Sequence, residues 1–306
     1  MLNISVENNL EYYTTSGVTK CLEFLRNIKD SDYEYPIDIV NFHVYTEFKT
    51  PKQYMVLKSF LATQNLDHTH LTVWSDYDIS SDPFLKPYLK YITLKVYNPT
   101  EEAKGTLLEG SPWLKAEDKK HWMNSGILRF LVPHKYGGIW ADMDMIFLRD
   151  LKPILGQEFA YMWGTSRDFA RRLGGSDCYG PCAAFMNIKK NSEHSNICLQ
   201  EIIKTTIRPM TTCLDHALLA MVYRVKPFTV FPSVFFNTEW QMGDLSTPIQ
   251  EGWWDKNEYS DKMLFLEAFS WHWHNTSNHN KIINPGSKFA ILTELIETKL
   301  KERKIL

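Results

Sequence analysis

Hydrophobic and polar positions run through the first half of this chain in two rhythms. "IDIVNFHVYT" after Pro36, "HLTVWSD" and "ITLKVYN" are short runs rich in β-branched and aromatic residues, the pattern of buried strands. Between the first two lies "KQYMVLKSFLATQN", apolar at helical spacing behind Thr50 and Pro51, which suit an N-cap and a first helical position. "DPFLKPYLK" predicts a short helix before the third strand. "SGVTKCLEFLRNIKD" predicts a leading helix within an N-terminal helical extension of about residues 1–35. The β-α-β-α-β alternation predicts an α/β fold with a mostly parallel central sheet flanked by helices, whose ligands sit beyond the carboxyl ends of the strands.

The next helix falls in "AEDKKHWMNSGILRFLVPHKYGG". Pro133 is expected to kink or end it, because the ring removes an N–H and clashes with the preceding turn. Gly137 and Gly138 then turn the chain into "IWADMDMIFL", a buried run interrupted by Asp142 and Asp144. Two apart in an extended segment, the carboxylates project to one side. With Ile139 to Ala141 as the strand, they emerge at its carboxyl edge.

Beyond them, "EFAYMWG" and "CAAFMNI" predict strands on either side of a Gly/Cys-rich loop. "SEHSNICLQEIIKTT" and "CLDHALLAMVYRV" predict helices, and "FTVFPSVFFN" and "FLEAFSWHWHN" late strands. "SKFAILTELIETKLKERK" closes as an amphipathic helix with Ile291, Leu292, Leu295 and Ile296 on one face. With no internal repeat, low-complexity tract or linker, residues 1–306 are expected to form a single domain.

Composition narrows the function classes. A length of 306 residues, 44% hydrophobic, is ample for a large core. With 23% charged residues, a net charge of -2 and no basic block, the chain lacks the electrostatics of a nucleic-acid partner. The start "MLNISVENNLEYY" has no signal-peptide pattern and no stretch approaches the ~20 apolar residues of a membrane span, so a soluble, cytoplasmic protein is expected. The five cysteines, Cys21, Cys178, Cys182, Cys198 and Cys213, are odd in number and irregular in spacing, which suits reduced thiols better than a disulfide framework. Cys178 and Cys182 have no second Cys/His pair at zinc-ligand spacing.

The paired aspartates carry the chemistry. Like charges this close repel, and burial would raise their pKa values; a divalent cation resolves both difficulties. Hard carboxylate oxygens suit Mn²⁺ or Mg²⁺, which keep part of their coordination shell for substrate phosphates. Two aspartates on a solvated turn would give the same tripeptide.

In context, "SGILRFLVPHKYGGIWADMDMIFLRDL", Ser125 to Leu151, resembles the DXD-containing sugar transferases of glycosyltransferase family 32, which include α-1,4-galactosyltransferases, initiating mannosyltransferases and glucosylating clostridial toxins. Arginine, glycine pair and both aspartates fall in the family's register, and weaker similarity runs from "IVNFHVYTEF" to "HWHNTSN". The resemblance implies a GT-A-like nucleotide-sugar-binding fold and a metal-dependent transfer of a hexose from a nucleotide-sugar, UDP-sugars favoured, to a glycan or other hydroxyl acceptor, with retention of configuration. It implies that Asp144 ligates the metal, that Asp142 contacts ribose, donor sugar or the metal shell, and that Arg129 holds the donor sugar or its phosphate, with Ser125 beside it. The family's carboxylate three residues before the arginine is Gly126 here.

Further metal ligands are expected from "SWHWHNTSNH", which offers His272 and His274 on one strand face with Asn275 and Ser277 near the diphosphate. Asp215, with His216 beside it, is the candidate carboxylate on the acceptor side or near the anomeric carbon; it serves equally as a helix N-cap. Tyr45, Thr46, Trp74 and Asp76, at the first strand ends, are the candidates for the nucleotide base, with core packing the competing role for the aromatics. Two other functions share these features: a nucleotide-sugar-binding protein impaired in catalysis, and a metal-dependent nucleotidyl or phosphoryl transferase, although no G-x-x-x-x-G-K-[ST] loop is present.

Overall fold

The computed structural model describes residues 15–115, 122–162, 181–204, 214–237, 253–256 and 265–306. In chain order the elements are α1 (Thr15–Asn27), β1 (Val40–Tyr45), α2 (Tyr54–Thr63), β2 (Thr69–Ser75), β3 (Ile92–Val96), α3 (Pro99–Ala103), α4 (Trp122–Tyr136), β4 (Gly138–Ala141), β5 (Met145–Phe147), β6 (Phe159–Met162), β7 (Pro181–Ile188), α5 (Glu193–Lys204), α6 (Leu214–Val225), β8 (Thr229–Phe231), β9 (Ser270–His272), α7 (Asn275–Asn278) and α8 (Lys288–Glu302).

The main sheet runs β3-β2-β1-β4-β7-β6-β8, and β5 and β9 form a separate two-stranded ribbon. From β3 to β4 the strands are parallel; β7 is antiparallel to both its neighbours, and β8 is parallel to β6. The chain leaves β1 toward β2 and β3, then returns to place β4 on the other side of β1. That reversal opens a crevice beyond the carboxyl ends of β1 and β4, the usual ligand site of an open α/β sheet.

Two glycines set the entry to β4. Gly138 has φ 104°, and a Cβ there would stand 2.0 Å from the Asn41 carbonyl oxygen; at Gly137, with φ 73°, it would meet the Lys190 backbone nitrogen at 3.0 Å. Only glycine lets the chain turn out of α4 and lie this close to β1. The core then fills both faces of the sheet. Phe42, Val44, Phe60, Ile139 and Phe147 share one cluster with Cys21, Leu22 and Leu25 of α1. Trp74, Leu128, Leu131, Trp140 and Met186 belong to the other. Cys21, Cys182 and Cys198 are buried free thiols; Cys178 and Cys213 lie outside the described residues.

Several elements differ from their sequence pattern. "DPFLKPYLK" forms turns and one 3-10 segment, Leu89–Tyr91, because Pro83 and Pro87, four apart, remove the donors that a helix would use. Helix α4 continues through Pro133 to Tyr136. The cost is one missing N–H, and the buried Phe130, Leu131 and Val132 anchor the turn before it while the Gly137 N–H caps the Pro133 carbonyl at 2.8 Å. Asp142 to Asp144 form a tight turn, closed by the Met145 N–H on the Asp142 carbonyl at 3.0 Å, in place of an extended segment. The chain changes sheets there. Pro232 ends β8 at Phe231, and the late aromatic strand is only Ser270–His272. In α8 the buried stripe is Phe289, Leu292, Ile296 and Leu300, whereas Leu295 is exposed. Among the described residues no helix is long and apolar enough to cross a membrane.

His43, on β1, gives the fold a pH dependence. Its Nε2 bonds the Gly137 carbonyl at 3.0 Å, and its Nδ1 accepts the Trp74 indole N–H at 3.4 Å. Burial pushes its pKa down to about 4, against the Gly137 hydrogen bond, which raises it. Between about pH 6.5 and 4 the unfolded chain therefore binds the proton that the folded chain refuses, and stability present above 6.5 falls as pH drops through that window. The expected share of His43 is about 3 kcal/mol. Urea unfolding of parent and His43→Gln across pH 4 to 7 checks it: the variant, with no proton to bind, shows a shallower acid limb.

Candidate active site

The turn after β4 owes its position to both sheets. The Asp142 N–H bonds the Ala184 carbonyl of β7 at 2.8 Å, and the Trp273 N–H bonds the Asp144 carbonyl at 3.0 Å. Each aspartate thus faces a different set of partners. Asp142 Oδ1 accepts the Trp140 indole N–H at 2.7 Å and lies 3.4 Å from Arg129 Nη2. Asp144 accepts the Asn275 backbone N–H at 2.7 Å on Oδ2, while its Oδ1 stands 3.1 Å from His272 Nε2.

The electrostatics separate the two carboxylates. Burial pushes the Asp142 pKa up to about 6, with Asp144 adding to the shift and Arg129 opposing it. Burial also works to raise Asp144, but the neighbouring His272 and the Asn275 N–H outweigh it and hold this carboxyl well below the usual range. His272 is shifted upward in return, since Asp144 overcomes the effect of its burial. Two carboxyl groups of unlike pKa beside an imidazole form a site poised to accept positive charge.

Arg129, on α4, is the hub of the other side. Its Nη1 meets Asp215 of α6 at 2.5 Å, its Nη2 meets the Ser125 hydroxyl at 3.2 Å, and its Nε meets the Ser125 carbonyl at 3.3 Å. Burial opposes its charge, but Asp142 and Asp215 more than compensate. The fork expected to grip donor phosphate is thus engaged by the protein itself, and Arg129 ties α4, α6 and the β4 turn together. Asp215 lies in the first turn of α6 and spends its carboxylate on Arg129.

The histidines converge differently from the expected strand pair. The strand stops at His272, and His274 takes a left-handed conformation, φ 52°, ahead of α7. The two rings nevertheless stack at 3.9 Å between centroids. His274 Nε2 lies 3.0 Å from Asn237 Oδ1, and burial pushes its pKa down, keeping it neutral. Asn275 reaches the site through its backbone N–H. Ser277 is exposed on α7, outside this cluster.

At the ends of β1 and β2 the candidates for the base divide. Trp74 is fully buried, its ring under Lys95 at 4.9 Å, so it is a core residue with no face open to a base. The Thr46 hydroxyl accepts the Phe48 N–H at 3.1 Å and shapes a turn. The Tyr45 phenol is buried, and burial and the adjacent Asp76 both raise its pKa. Asp76 accepts a hydrogen bond from Asn124 at 3.3 Å, linking the end of β2 to the start of α4 next to Ser125.

Sequence reasoning missed Lys52, Trp140, Asn237 and Tyr161. Tyr161 places its hydroxyl 3.2 Å from His272 Nδ1. Lys52 is buried and donates to three carbonyls, of Asn278, His279 and Lys281, at 2.6 to 2.8 Å, beneath the rings of Trp254 and Trp273. It fastens the segment that carries His272, His274 and Asn275. Nothing local marks it in sequence, since its partners are more than two hundred residues away. Lys52→Met leaves three carbonyls without a donor in a partly buried site and is expected to cost about 2–4 kcal/mol, read by urea unfolding.

Asp144 Oδ1 and His272 Nε2 face each other with no hydrophobic group between them, and oxygen with imidazole nitrogen is a donor set that Mn²⁺ accepts. Among the described residues no three His, Cys, Asp or Glu side chains converge as a complete metal cluster. The pair therefore fits an ion that takes its remaining ligands from water and substrate.

Residues 51–160 match the family model described as "Glycosyltransferase sugar-binding region containing DXD motif". Among solved structures, the glycosyltransferase GlyE of Streptococcus pneumoniae TIGR4 is similar at 13% identity and TM-score 0.49, over 88% of this chain and 64% of that one. An active-site mutant of LgtC gives 12% and 0.48, over 87% and 100%. Mouse xyloside xylosyltransferase 1 gives 10% and 0.48, over 79% and 99%. At such scores these likenesses bear on neither substrate nor site. No curated protein matches the sequence. The family match takes in Arg129, β4 and both aspartates, so this stretch of the α/β sheet is similar to a DXD-containing glycosyltransferase sugar-binding region.

Proposed function

We propose that the protein transfers a hexose from a nucleotide-sugar, with UDP-sugars favoured, to a glycan or other hydroxyl acceptor, using Mn²⁺ or Mg²⁺ and retaining anomeric configuration. The observation that carries the metal dependence is the Asp144–His272 pair at the carboxyl end of β4. A divalent ion there would supply charge neutralisation for the departing nucleoside diphosphate. The protein's own groups do the rest. Asp144 and His272 would hold the ion, and Asn275 and Tyr161 fix those two side chains. Asp142, its pKa raised by burial and its carboxylate anchored by Trp140 and Arg129, presents a carboxyl group toward the donor. Retention and the nucleotide follow from the resemblance of the Ser125 to Leu151 stretch.

The carboxylate absent at Gly126 has a counterpart in Asp215, which reaches Arg129 from α6. Arg129 holds Asp215 near Asp142, where a carboxylate oxygen can accept from a sugar hydroxyl. A panel of UDP- and GDP-sugars, assayed for Mn²⁺-dependent release of nucleoside diphosphate with and without sugar acceptors, tests this reading. Release from one or a few UDP-sugars that stops on chelation supports it. Metal-independent release, or tight nucleotide-sugar binding without release to any acceptor, contradicts it.

A further inference from the structure

The segment that follows β9 is tied down at both ends. At its entry the Trp273 N–H bonds the Asp144 carbonyl at 3.0 Å, and the Asn275 N–H bonds Asp144 Oδ2 at 2.7 Å. Between them His274 takes a left-handed conformation, which a non-glycine residue keeps only where its surroundings hold it. At its exit Lys52 Nζ donates to the carbonyls of Asn278, His279 and Lys281 at 2.6, 2.8 and 2.8 Å. Short bonds join the two ends. The Asn278 N–H reaches the His274 carbonyl at 3.0 Å, the His279 N–H reaches the Asn275 carbonyl at 2.8 Å, and Asn278 Nδ2 reaches the Trp273 carbonyl at 2.8 Å. A displacement at the exit is therefore passed to the N–H groups that hold Asp144.

The surroundings of Lys52 Nζ are those of a cation cage. Three carbonyl acceptors match the three N–H groups of an ammonium, whereas a neutral amine would turn a lone pair on one of them. The rings of Trp254 and Trp273 stand 5.0 and 5.5 Å away, within reach of cation–π attraction. Backbone carbonyls that replace a hydration shell are also how proteins hold potassium. We propose that Lys52 is a positioning residue whose ammonium fills a site suited to a monovalent cation, ammonium or potassium, and that this charge locks the segment so that the Asn275 N–H stays on Asp144. The proposal rests on the metal-dependent reading above, and extends it to a residue whose N–H groups are all spent inside the protein. A chain that carries its own monovalent cation needs none from solution.

Lys52→Ala in lithium, potassium, ammonium and tetramethylammonium chloride, at equal ionic strength, tests it. Mn²⁺ titration, followed by electron paramagnetic resonance of the free ion, and thermal unfolding are read on the same samples. In lithium or tetramethylammonium chloride the variant is expected to bind Mn²⁺ about 10-fold more weakly than the parent, the lower end of what partners outside the ligand shell are worth, and to unfold at lower temperature. Ammonium or potassium chloride restores both, while the parent is indifferent to the salt. Lys52→Met, whose side chain fills the space without a charge, stays weak in every salt. Parent-like Mn²⁺ affinity of Lys52→Ala in lithium chloride overturns the proposal, and so does rescue by every salt alike, by none, or of Lys52→Met as well. A Lys52→Ala chain that folds in none of the salts also contradicts it, because ammonium supplies what the lysine did. A parent that binds no Mn²⁺ removes the metal reading; selective recovery of the Lys52→Ala unfolding temperature in ammonium or potassium chloride then still decides whether the cage is a cation site.

Discussion

Asp144→Asn will fold, and will lose Mn²⁺ binding by at least about 100-fold, the upper end of what even outer-shell changes at metal sites cost. The amide keeps the size of the carboxylate and an oxygen for the Asn275 N–H, so the turn between β4 and β5 survives. What it lacks is the charge that holds His272 and would hold the ion. Asp144→Ala should lose the same binding, with an added loss of stability from the unpaired Asn275 N–H. Metal titration and nucleotide-sugar binding, each with thermal unfolding as a control on the fold, read the result. Mn²⁺-dependent donor binding retained by a folded Asp144→Asn protein would remove the aspartate from the site.

Arg129→Met should cost about 3–5 kcal/mol of stability, the usual result of deleting one member of a buried ion network and leaving the others uncompensated. Asp142 and Asp215 would then face each other across the space of the guanidinium, with Ser125 left without its partner. Asp142 is already pushed up to about 6 by burial, so the folded chain binds its proton more tightly than the unfolded chain does. Stability therefore falls as pH rises from about 4 through 6, and without Arg129 that fall steepens and extends upward. Urea unfolding at pH 5 and pH 7.5 should show the smaller deficit at pH 5. Arg129→Lys retains charge but cannot span Asp215, Asp142 and Ser125 at once, and should fall between parent and Arg129→Met. A deficit independent of pH would mean that the aspartates are not what the arginine compensates.

The strands β1 and β2 were legible because most of their side chains are buried on both faces and leave continuous apolar runs, and the edge strand β3 because of its β-branched residues alone. The aspartate pair was legible because charges have no place in such a run. What the sequence hid is mostly long-range. Nothing near Arg129 in the chain announces Asp215, eighty-six positions on, as its partner. Nothing in "EFAYMWG" marks Tyr161 as the neighbour of a histidine one hundred and eleven positions later. Trp74 has the composition of a stacking residue and the burial of a core one, a distinction that only the packing of Lys95 and Tyr136 over it decides. The turn at Asp142 to Asp144 was hidden for another reason: the alternation of residues is the same whether a strand continues or the chain crosses to a second sheet. Pro133 obeyed the local rule at its own position, and buried neighbours on both sides of it overrode the consequence for the helix.

The central claim, that Asp144 and His272 together hold the divalent ion that carries the nucleotide-sugar, is most directly tested by anomalous diffraction at the manganese edge from crystals grown with Mn²⁺ and UDP. The account predicts one strong peak within direct ligand distance of an Asp144 carboxylate oxygen and of His272 Nε2, beside the UDP diphosphate. Ordered UDP with no manganese peak, or a peak away from both side chains, would contradict it.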